Sequence, residues 1–260
     1  QSPHPDLASP QTPYTFMGFT TIAGQGGAML TALHKEFPEA KTVVFCTNDD
    51  GNQDIYAKAL AGPAAKLGFT VLNDGKAIVY APSIEDMTPV ASQVNSMKPD
   101  AVMTILTTTP ALGSLCQSLR ALGSTIPLVC QALPADVGDF VTAMGGPAAT
   151  NIISLAVLRD DPNSPPKWKA FDAVIPDGPI DFTLAAMLDI LLQVIEKADS
   201  LEVDDVVAAW ESTDSMEGLL GTTNFGGEET YGLKGHVLTG QVQYIKIMDG
   251  ESVQLANHWL

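Results

Sequence analysis

Between residues 41 and 157 the chain alternates short apolar runs with longer amphipathic ones. "KTVVFCT" (41–47) has the continuous apolar character of a buried strand. Residues 54–67 read as a helix, with Gly62-Pro63 a weak point in it. "FTVLNDGKAIVY" (69–80) is strand-like. In 84–97, Met87, Val90, Val94 and Met97 fall at i, i+3, i+7 and i+10, one face of a helix. "AVMTIL" (101–106) predicts a strand, and 110–122 a helix with proline in its first turn, where a missing N–H costs nothing. "IPLVCQ" (126–131), 135–144 and "NIISLAV" (151–157) continue as strand, helix and strand. This alternation predicts a parallel sheet with helices on both faces, a doubly wound α/β lobe.

After Val157 the pattern changes. "LRDDPNSPPK" (158–167) is a polar, proline-rich loop. Residues 181–198 carry Leu184, Met187, Leu188, Leu191, Leu192 and Ile195, a wide apolar helix face. Residues 203–211 carry Val203, Val206, Val207 and Trp210 at helical spacing. No sheet is evident between 158 and 235 to bury these faces. The chain ends in a predicted hairpin: Val242 and 244–248, a turn at Asp249-Gly250, and a return over 252–255. Upstream, "YTFMGF" (14–19) reads as an opening strand, with a helix after it whose first turns hold Gly24, Gly26 and Gly27.

Composition narrows the function classes. Thirty acidic against 13 basic residues give a net charge of −17 over 260 residues, and Lys and Arg form no run. Such a surface repels nucleic acid and anionic membranes. No apolar run approaches the roughly 18 residues of a membrane span. Cys46, Cys116 and Cys130 lie in apolar or helical runs without metal-type spacing and read as buried thiols. The start, "QSPHPDLASPQTPY", is proline- and serine-rich, as in a loop. It carries no signal-peptide pattern and is expected to be a processed end or an internal point of something larger.

In an open parallel sheet, ligands bind outside the carboxyl ends of the strands. The residues there are short and polar: Asn48, Asp49, Asp50, Gly51 and Asn52 after the 41–47 run; Thr107, Thr108 and Thr109 after 101–106; Gln131 and Ala132 after 126–131; Thr20 and Thr21 after the opening strand. None is Lys, Arg or His, so a phosphate site is not indicated. The glycines at 24, 26 and 27 do not spell a dinucleotide fingerprint. Hydroxyls and amides suit a small polar solute, and several convergent bonds are needed at about 0.5–1.5 kcal/mol each. Each residue also has a structural reading: a threonine before proline caps a helix, 48–52 is a solvated turn, and the glycines permit close packing. No catalytic motif is present and no histidine falls at a strand end. No cofactor or metal is called for.

Several stretches resemble the type I periplasmic solute-binding proteins of the Leu/Ile/Val-binding class, the receptors of ABC importers. They are "LASPQTPYTFMGFTTIAGQGGAM" (7–29), "KTVVFCTNDDGNQD" (41–54), "MKPDAVMTIL" with "LCQSLRALG" (97–123), "DGPIDFTLAAMLDILLQVIEKA" (177–198) and "GLLGTTNFGGEETYGLKGH" (218–236). The resemblance implies a receptor in the periplasm or outside the cell that closes two lobes around a small polar or carboxylate-bearing organic solute, performs no chemistry and is read by a membrane permease. It implies that 14–153 with 237–260 form one complete α/β lobe, that 154–236 are the mainly helical remainder of the other, and that 1–13 are a loop or connecting segment. It further implies an N-terminal third, upstream or on a separate chain, that completes the first lobe. Thr108 and Thr109 fall where the amino-acid binders place an aromatic contact. Gln131 or Ala132 falls where they place an acid for the substrate ammonium, and Asp50 to Asn52 at a further contact loop. Met17 stands where the family commonly has Arg. A standard branched-chain amino acid would then need Asp49 or Asp50 as its counter-charge, since burying an unpaired ammonium is costly. A ligand-sensing module of the same fold is the alternative, and an α/β enzyme a more distant one.

Overall fold

The structure, a computed structural model, describes residues 12–18, 21–105, 107–131, 137–158, 162–175, 182–228, 233–239 and 243–255. The chain divides into two compact units. One comprises residues 26–163 with 243–258; the other comprises the start of the chain to 25 with 164–242. The contacts therefore group 14–25 and 237–242 with the second unit, and 154–163 with the first, where the sequence reading had each on the opposite side.

The first unit is built on an eight-stranded sheet. Its strands are β1 (Thr42–Asn48), β2 (Thr70–Val71), β3 (Ile78–Tyr80), β4 (Ala101–Ile105), β5 (Leu128–Cys130), β6 (Ile152–Leu155), β10 (Tyr244–Met248) and β11 (Glu251–Gln254). β2 and β3 both pair with β1; the order then runs β1, β4, β5, β6, β10, β11. All pairs are parallel up to β6, after which β10 and β11 add antiparallel. The strands are short and apolar because helices cover both faces. β1 and β4 are buried along almost their whole length, so no polar alternation is needed.

One face is covered by α3 (Thr88–Met97), α4 (Thr109–Ala121) and α5 (Val137–Ala143). Val90 and Val94 of α3, Leu112, Leu115 and Leu119 of α4, and Phe140 of α5 join Val44, Val102, Leu128 and Ile152 of the sheet in one core cluster. The opposite face takes α1 (Ile22–Glu36) and α2 (Gln53–Lys66). There Gly26 of α1 lies so close to Leu60 of α2 that an added Cβ would stand 1.7 Å from Leu60 Cδ2. Each fully buried Leu, Val or Phe contributes about 1.5–3 kcal/mol by leaving water. The antiparallel edge is fastened by Lys246 of β10, whose ammonium meets Glu36 of α1 at 3.0 Å and lies 4.8 Å above the Phe37 ring.

Three expectations for this unit are corrected. The strand-like stretch 69–80 is two short strands, because Asn73, Asp74 and Gly75 all take positive φ and turn the chain between them. The helix expected from 84 begins at Thr88: Asp86 accepts the Thr88 N–H at 2.8 Å and Pro89 opens the helix. Met87, Val90 and Val94 are buried as their spacing implied. The described part of "YTFMGF" (14–18) holds no named strand; Met17 alone of these residues makes a bridge, to Val237 in the second unit. In the terminal hairpin, Asp249 and Gly250 both take positive φ, the two-residue turn that matches strand twist. Val242 lies outside the described residues.

The second unit holds α6 (Pro166–Asp172), α7 (Phe182–Ala198), α8 (Val203–Glu211) and a three-stranded antiparallel sheet that the sequence did not suggest. Its strands are β7 (Ser215–Gly218), β8 (Gly221–Gly226) and β9 (Val237–Thr239). Ile190 and Val194 of α7, Trp210 of α8, Phe225 and Leu238 form its core. His236 is fully buried, stacked on Phe16 and bonded through Nδ1 to the Thr15 carbonyl and through Nε2 to Glu211. Lys197 of α7 reaches the end of α8, donating to the Ala209 carbonyl and the Thr213 hydroxyl. Leu184, Leu188, Leu191 and Leu192 of α7 remain exposed.

Candidate ligand site at the carboxyl edge of the sheet

The strand order marks the edge at which folds of this kind receive a ligand. From β1 the chain goes through α2 on one face to β2 and β3 on one side. From β3 it goes through α3 on the other face to β4 on the other side. The topological switch lies between β1 and β4, where the connections diverge; in open α/β sheets that is the place where ligands bind, at the carboxyl ends. The β1–β4 register pairs Thr47 with Ile105, and the β4–β5 register pairs Thr104 with Cys130. Hence Asp49, Asp50, Asn52, Thr107, Thr108, Thr109 and Gln131 all emerge at one edge of one sheet. Ala132 and Thr20 lie outside the described residues.

The three threonines have different settings. Thr107 is buried and hydrogen-bonded to the Tyr80 phenol, and its own hydroxyl donates to the Ile105 carbonyl at 3.2 Å. Thr108 is the N-cap of α4: its hydroxyl accepts the Ala111 N–H at a long 3.5 Å, and its carbonyl accepts the Leu112 N–H at 2.9 Å. Thr109, half-buried in the first turn, has no partner for its hydroxyl among the described residues. The capping reading thus holds for Thr108, and Thr107 braces the edge.

The two aspartates also differ. Asp50 folds back onto the start of α2. Its Oδ1 accepts the Asn52 N–H at 2.9 Å and its Oδ2 accepts the Tyr56 hydroxyl at 2.5 Å. Asn52 donates its side-chain amide to the Asp50 carbonyl at 3.4 Å and makes no side-chain cap bond. Asp49 is exposed: its N–H donates to the Tyr80 carbonyl at 2.8 Å, and its carboxylate has no partner among the described residues. The Gln131 N–H donates to the Thr104 carbonyl at 3.1 Å, which carries β5 one step past its strand end.

Sequence reasoning missed Tyr80, Tyr56, Thr47 and Gln53. Tyr80 closes β3 and lies beside Asn48 in register; applying the strand-end rule to the 69–80 run would have found it. Burial pushes the Tyr80 phenol well up from its usual range, so it serves as a neutral hydrogen-bonding group. Burial and the hydrogen bond to Asp50 do the same to Tyr56. Thr47 Oγ1, Asn48 Oδ1 and Gln53 Oε1 are buried oxygens with no protein partner. Among the described residues no three His, Cys, Asp or Glu side chains form a metal cluster, and no helix is long and apolar enough to cross a membrane.

This fold is shared with known proteins. Residues 4–245 match the family model for periplasmic binding proteins, and the chain belongs to that family. Among solved structures it is similar to a leucine-binding protein from Thermotoga maritima, with 18% identity, 93% of this chain and 67% of that one covered, and a TM-score of 0.66. A putative branched-chain amino acid ABC transporter protein from Rhodospirillum rubrum gives 19%, 96%, 71% and 0.69. A solute-binding protein of an ABC transporter from Rhodopseudomonas palustris, in complex with p-hydroxybenzoic acid, gives 17%, 94%, 67% and 0.69. At these identities the likeness establishes the fold, periplasmic-binding-protein type I. The chain spans about two thirds of the length of these proteins. No curated protein matches it at the level of sequence.

Proposed function

We propose that the chain is the solute-receiving part of an extracytoplasmic receptor of an ABC importer. It binds a small polar organic solute, with or without a carboxylate, and carries out no chemistry on it. The observation that carries the reading is the topological switch between β1 and β4, edged by free or exchangeable polar groups on a lobe of the periplasmic binding protein family. The solved neighbours are named for amino acids and for an aromatic acid, and both classes are candidate solutes. Candidate contacts are Asp49, Asp50, Asn52, Thr107, Thr108, Thr109, Gln131 and Ala132. Within these, the structure gives Asp50, Thr107 and Thr108 structural partners as well. Binding works by biasing a conformational equilibrium that a membrane permease reads. A periplasmic or extracellular location follows from the same reading.

The exposed leucines of α7 (Leu184 54%, Leu188 55%, Leu192 52%) supply the argument for a further partner. We propose that an upstream segment or a separate chain covers them and completes the smaller unit. The neighbours' extra third of length accords with this.

The test is a thermal-shift screen of the native protein against amino acids and aromatic carboxylates. A specific solute at about 100 Kd stabilises the fold by ~2.7 kcal/mol. Absence of any specific solute, or turnover of a bound one, overturns the receptor reading.

A further inference from the structure

We infer that Gln254 is a positioning residue for movement of one unit against the other: its buried side-chain amide pins the two strand ends from which the chain crosses between the units. The inference rests on the receptor reading above. Between residues 12 and 255 the chain crosses three times, at 25–26, 163–164 and 242–243. Two of these crossings belong to neighbouring strands. β6 leads out of the larger unit, β10 leads back into it, and the two pair antiparallel with Leu155 opposite Tyr244. Any rearrangement of the units pulls on these two ends, because the chain is continuous through them.

Past the paired residues a side chain takes over from the ladder. The Ala156 N–H still reaches the Gln243 carbonyl at 3.1 Å. Beyond it, the Leu158 N–H is accepted at 2.7 Å by Oε1 of Gln254, a residue of β11 that pairs with Ile245 and is 2% exposed. Nε2 of the same amide donates to the Tyr244 carbonyl at 2.8 Å and to the Ala156 carbonyl at 3.4 Å. The backbone carbonyl of Gln254 accepts the Asn163 side-chain amide at 3.4 Å. One residue thus bonds 156, 158 and 163 on the outgoing side and 244 on the incoming side.

This set of partners suits an amide and nothing else of its size. A glutamine side chain offers an acceptor oxygen and two N–H donors; here they meet one N–H and two carbonyls. A carboxylate has no donor for the carbonyls, and a thioether or alkyl chain has neither donor nor strong acceptor. Glutamine is mostly an exposed residue, so its burial here reflects that match. Separating 158 from 244 would break several bonds of one buried group at once, so bending is kept off these residues. A solute shifts an equilibrium only by its differential affinity for the two arrangements. A residue that restricts the arrangements open to the unliganded chain therefore changes apparent affinity without touching the solute.

The experiment measures the distance distribution between the units by double electron–electron resonance, on the native full-length protein without solute. Spin labels are placed at Lys66→Cys in α2 and Glu196→Cys in α7, exposed positions of the larger and the smaller unit; the native thiols are buried. Gln254→Met keeps the length of the side chain and loses the amide. It is expected to broaden the distribution by about twofold or more, while unfolding remains cooperative. Gln254→Glu keeps the acceptor for Leu158 but loses both donors when ionised. Its distribution should be broad at pH 7 and narrow toward the parent's at acid pH, where the protonated carboxyl regains a donor. An unchanged width in both variants overturns the inference, even where the melting temperature falls, because Gln254 then only braces the fold. If Gln254→Met does not fold, Gln254→Glu decides alone: a width independent of pH and equal to the parent's overturns the inference. No solute enters this measurement, so a negative result leaves the receptor reading standing, and that reading falls on the solute screen instead.

Discussion

Tyr80 and Thr107 share a buried hydrogen bond that crosses the carboxyl end of β1, joining β3 to the residue pair that leads out of β4. Because the Thr107 hydroxyl donates to the Ile105 carbonyl, Tyr80 is the donor in this bond. The two side chains set the spacing of the edge on either side of the switch point.

That direction predicts an asymmetry. Thr107→Val strands the Tyr80 hydroxyl in a buried site and should cost about 1–3 kcal/mol; Tyr80→Phe leaves Thr107 bonded to Ile105 and should cost about 0.5–1.5 kcal/mol. The double variant should be less destabilised than the sum of the singles. Urea unfolding of the four proteins measures the cycle, and strict additivity would show that the bond does not couple these residues.

Thr108 and Thr109 should separate stability from binding. Thr108→Ala removes the cap of α4 and should cost about 0.5–1 kcal/mol, the low end of the range for N-caps because the 3.5 Å contact is long. Thr109→Ala removes a hydroxyl with no protein partner and should change stability by less than about 0.5 kcal/mol. An affinity loss in Thr109→Ala at constant stability places that hydroxyl on the solute. Loss of stability of a full kilocalorie there would mean that it has a structural partner.

Asp100 should contribute an acid-sensitive element. Its Oδ2 accepts the Lys41 N–H at 2.9 Å, and the Thr42 N–H and hydroxyl at 2.8 Å each, where β1 begins. The Lys41 and Thr42 hydrogen bonds hold the carboxyl below its usual range. A lowered folded-state value means the stabilisation is complete above the ordinary Asp range near 3.9 and is lost as pH falls through the lower value. Asp100→Asn should therefore be less stable than the parent at pH 7 by about 1 kcal/mol, a figure held down by the exposure of the carboxylate. The gap should close toward pH 2. A gap independent of pH would assign the effect to the amide's geometry instead.

Much of this edge was legible in the sequence because strand ends follow from hydrophobic patterning alone. Residues 43–46 are a continuous apolar run and Ala101–Ile105 is apolar but for Thr104, so the polar residues after them fall at the edge whatever the details. The division of labour among those residues was not legible. Nothing in "NDDG" distinguishes Asp50, whose carboxylate accepts the hydroxyl of Tyr56 six residues on, from Asp49, whose carboxylate has no partner among the described residues. β7 and β8 were missed for a different reason. "SMEGLLGTTNFG" is rich in glycine and polar residues, and only Thr223 and Phe225 carry the period-two burial of β8. Such a strand exists through its antiparallel partners, and local pattern does not reveal it. The start of α3 was misplaced because Met87 lies on the buried face yet precedes the helix.

The three thiols should be inert in the native protein. Cys46, Cys116 and Cys130 are fully buried. Burial raises Cys46 to about 12, and Cys116 and Cys130 are raised by the same cause. At pH 8 essentially none is thiolate, the reactive form. Mass spectrometry after maleimide treatment should show no adduct on the folded protein and three after denaturation. A native adduct would mean that its helix or strand opens on the labelling timescale.

Two glycines of the α/β lobe should respond differently to alanine, and the difference tests the packing directly. At Gly26 an added Cβ would stand 1.7 Å from Leu60 Cδ2, the tip of a side chain, with Met103 Cε at 3.3 Å. A rotamer change can relieve part of that overlap. At Gly113 the same atom would stand 2.5 Å from the Ala143 carbonyl oxygen, where α4 meets the end of α5. That oxygen also accepts the Gln117 amide at 2.8 Å, so the backbone of α5 must move and the bond to Gln117 is strained with it. Both glycines are helical, and alanine gains each about 0.5–1 kcal/mol of propensity. Overpacking costs about 1–3 kcal/mol and more where backbone is displaced. Gly26→Ala should therefore be destabilised by about 1–2 kcal/mol and Gly113→Ala by at least that much again, as read by thermal or urea unfolding. If Gly113→Ala were as stable as the parent, α4 and α5 would be packed more loosely than the structure has them.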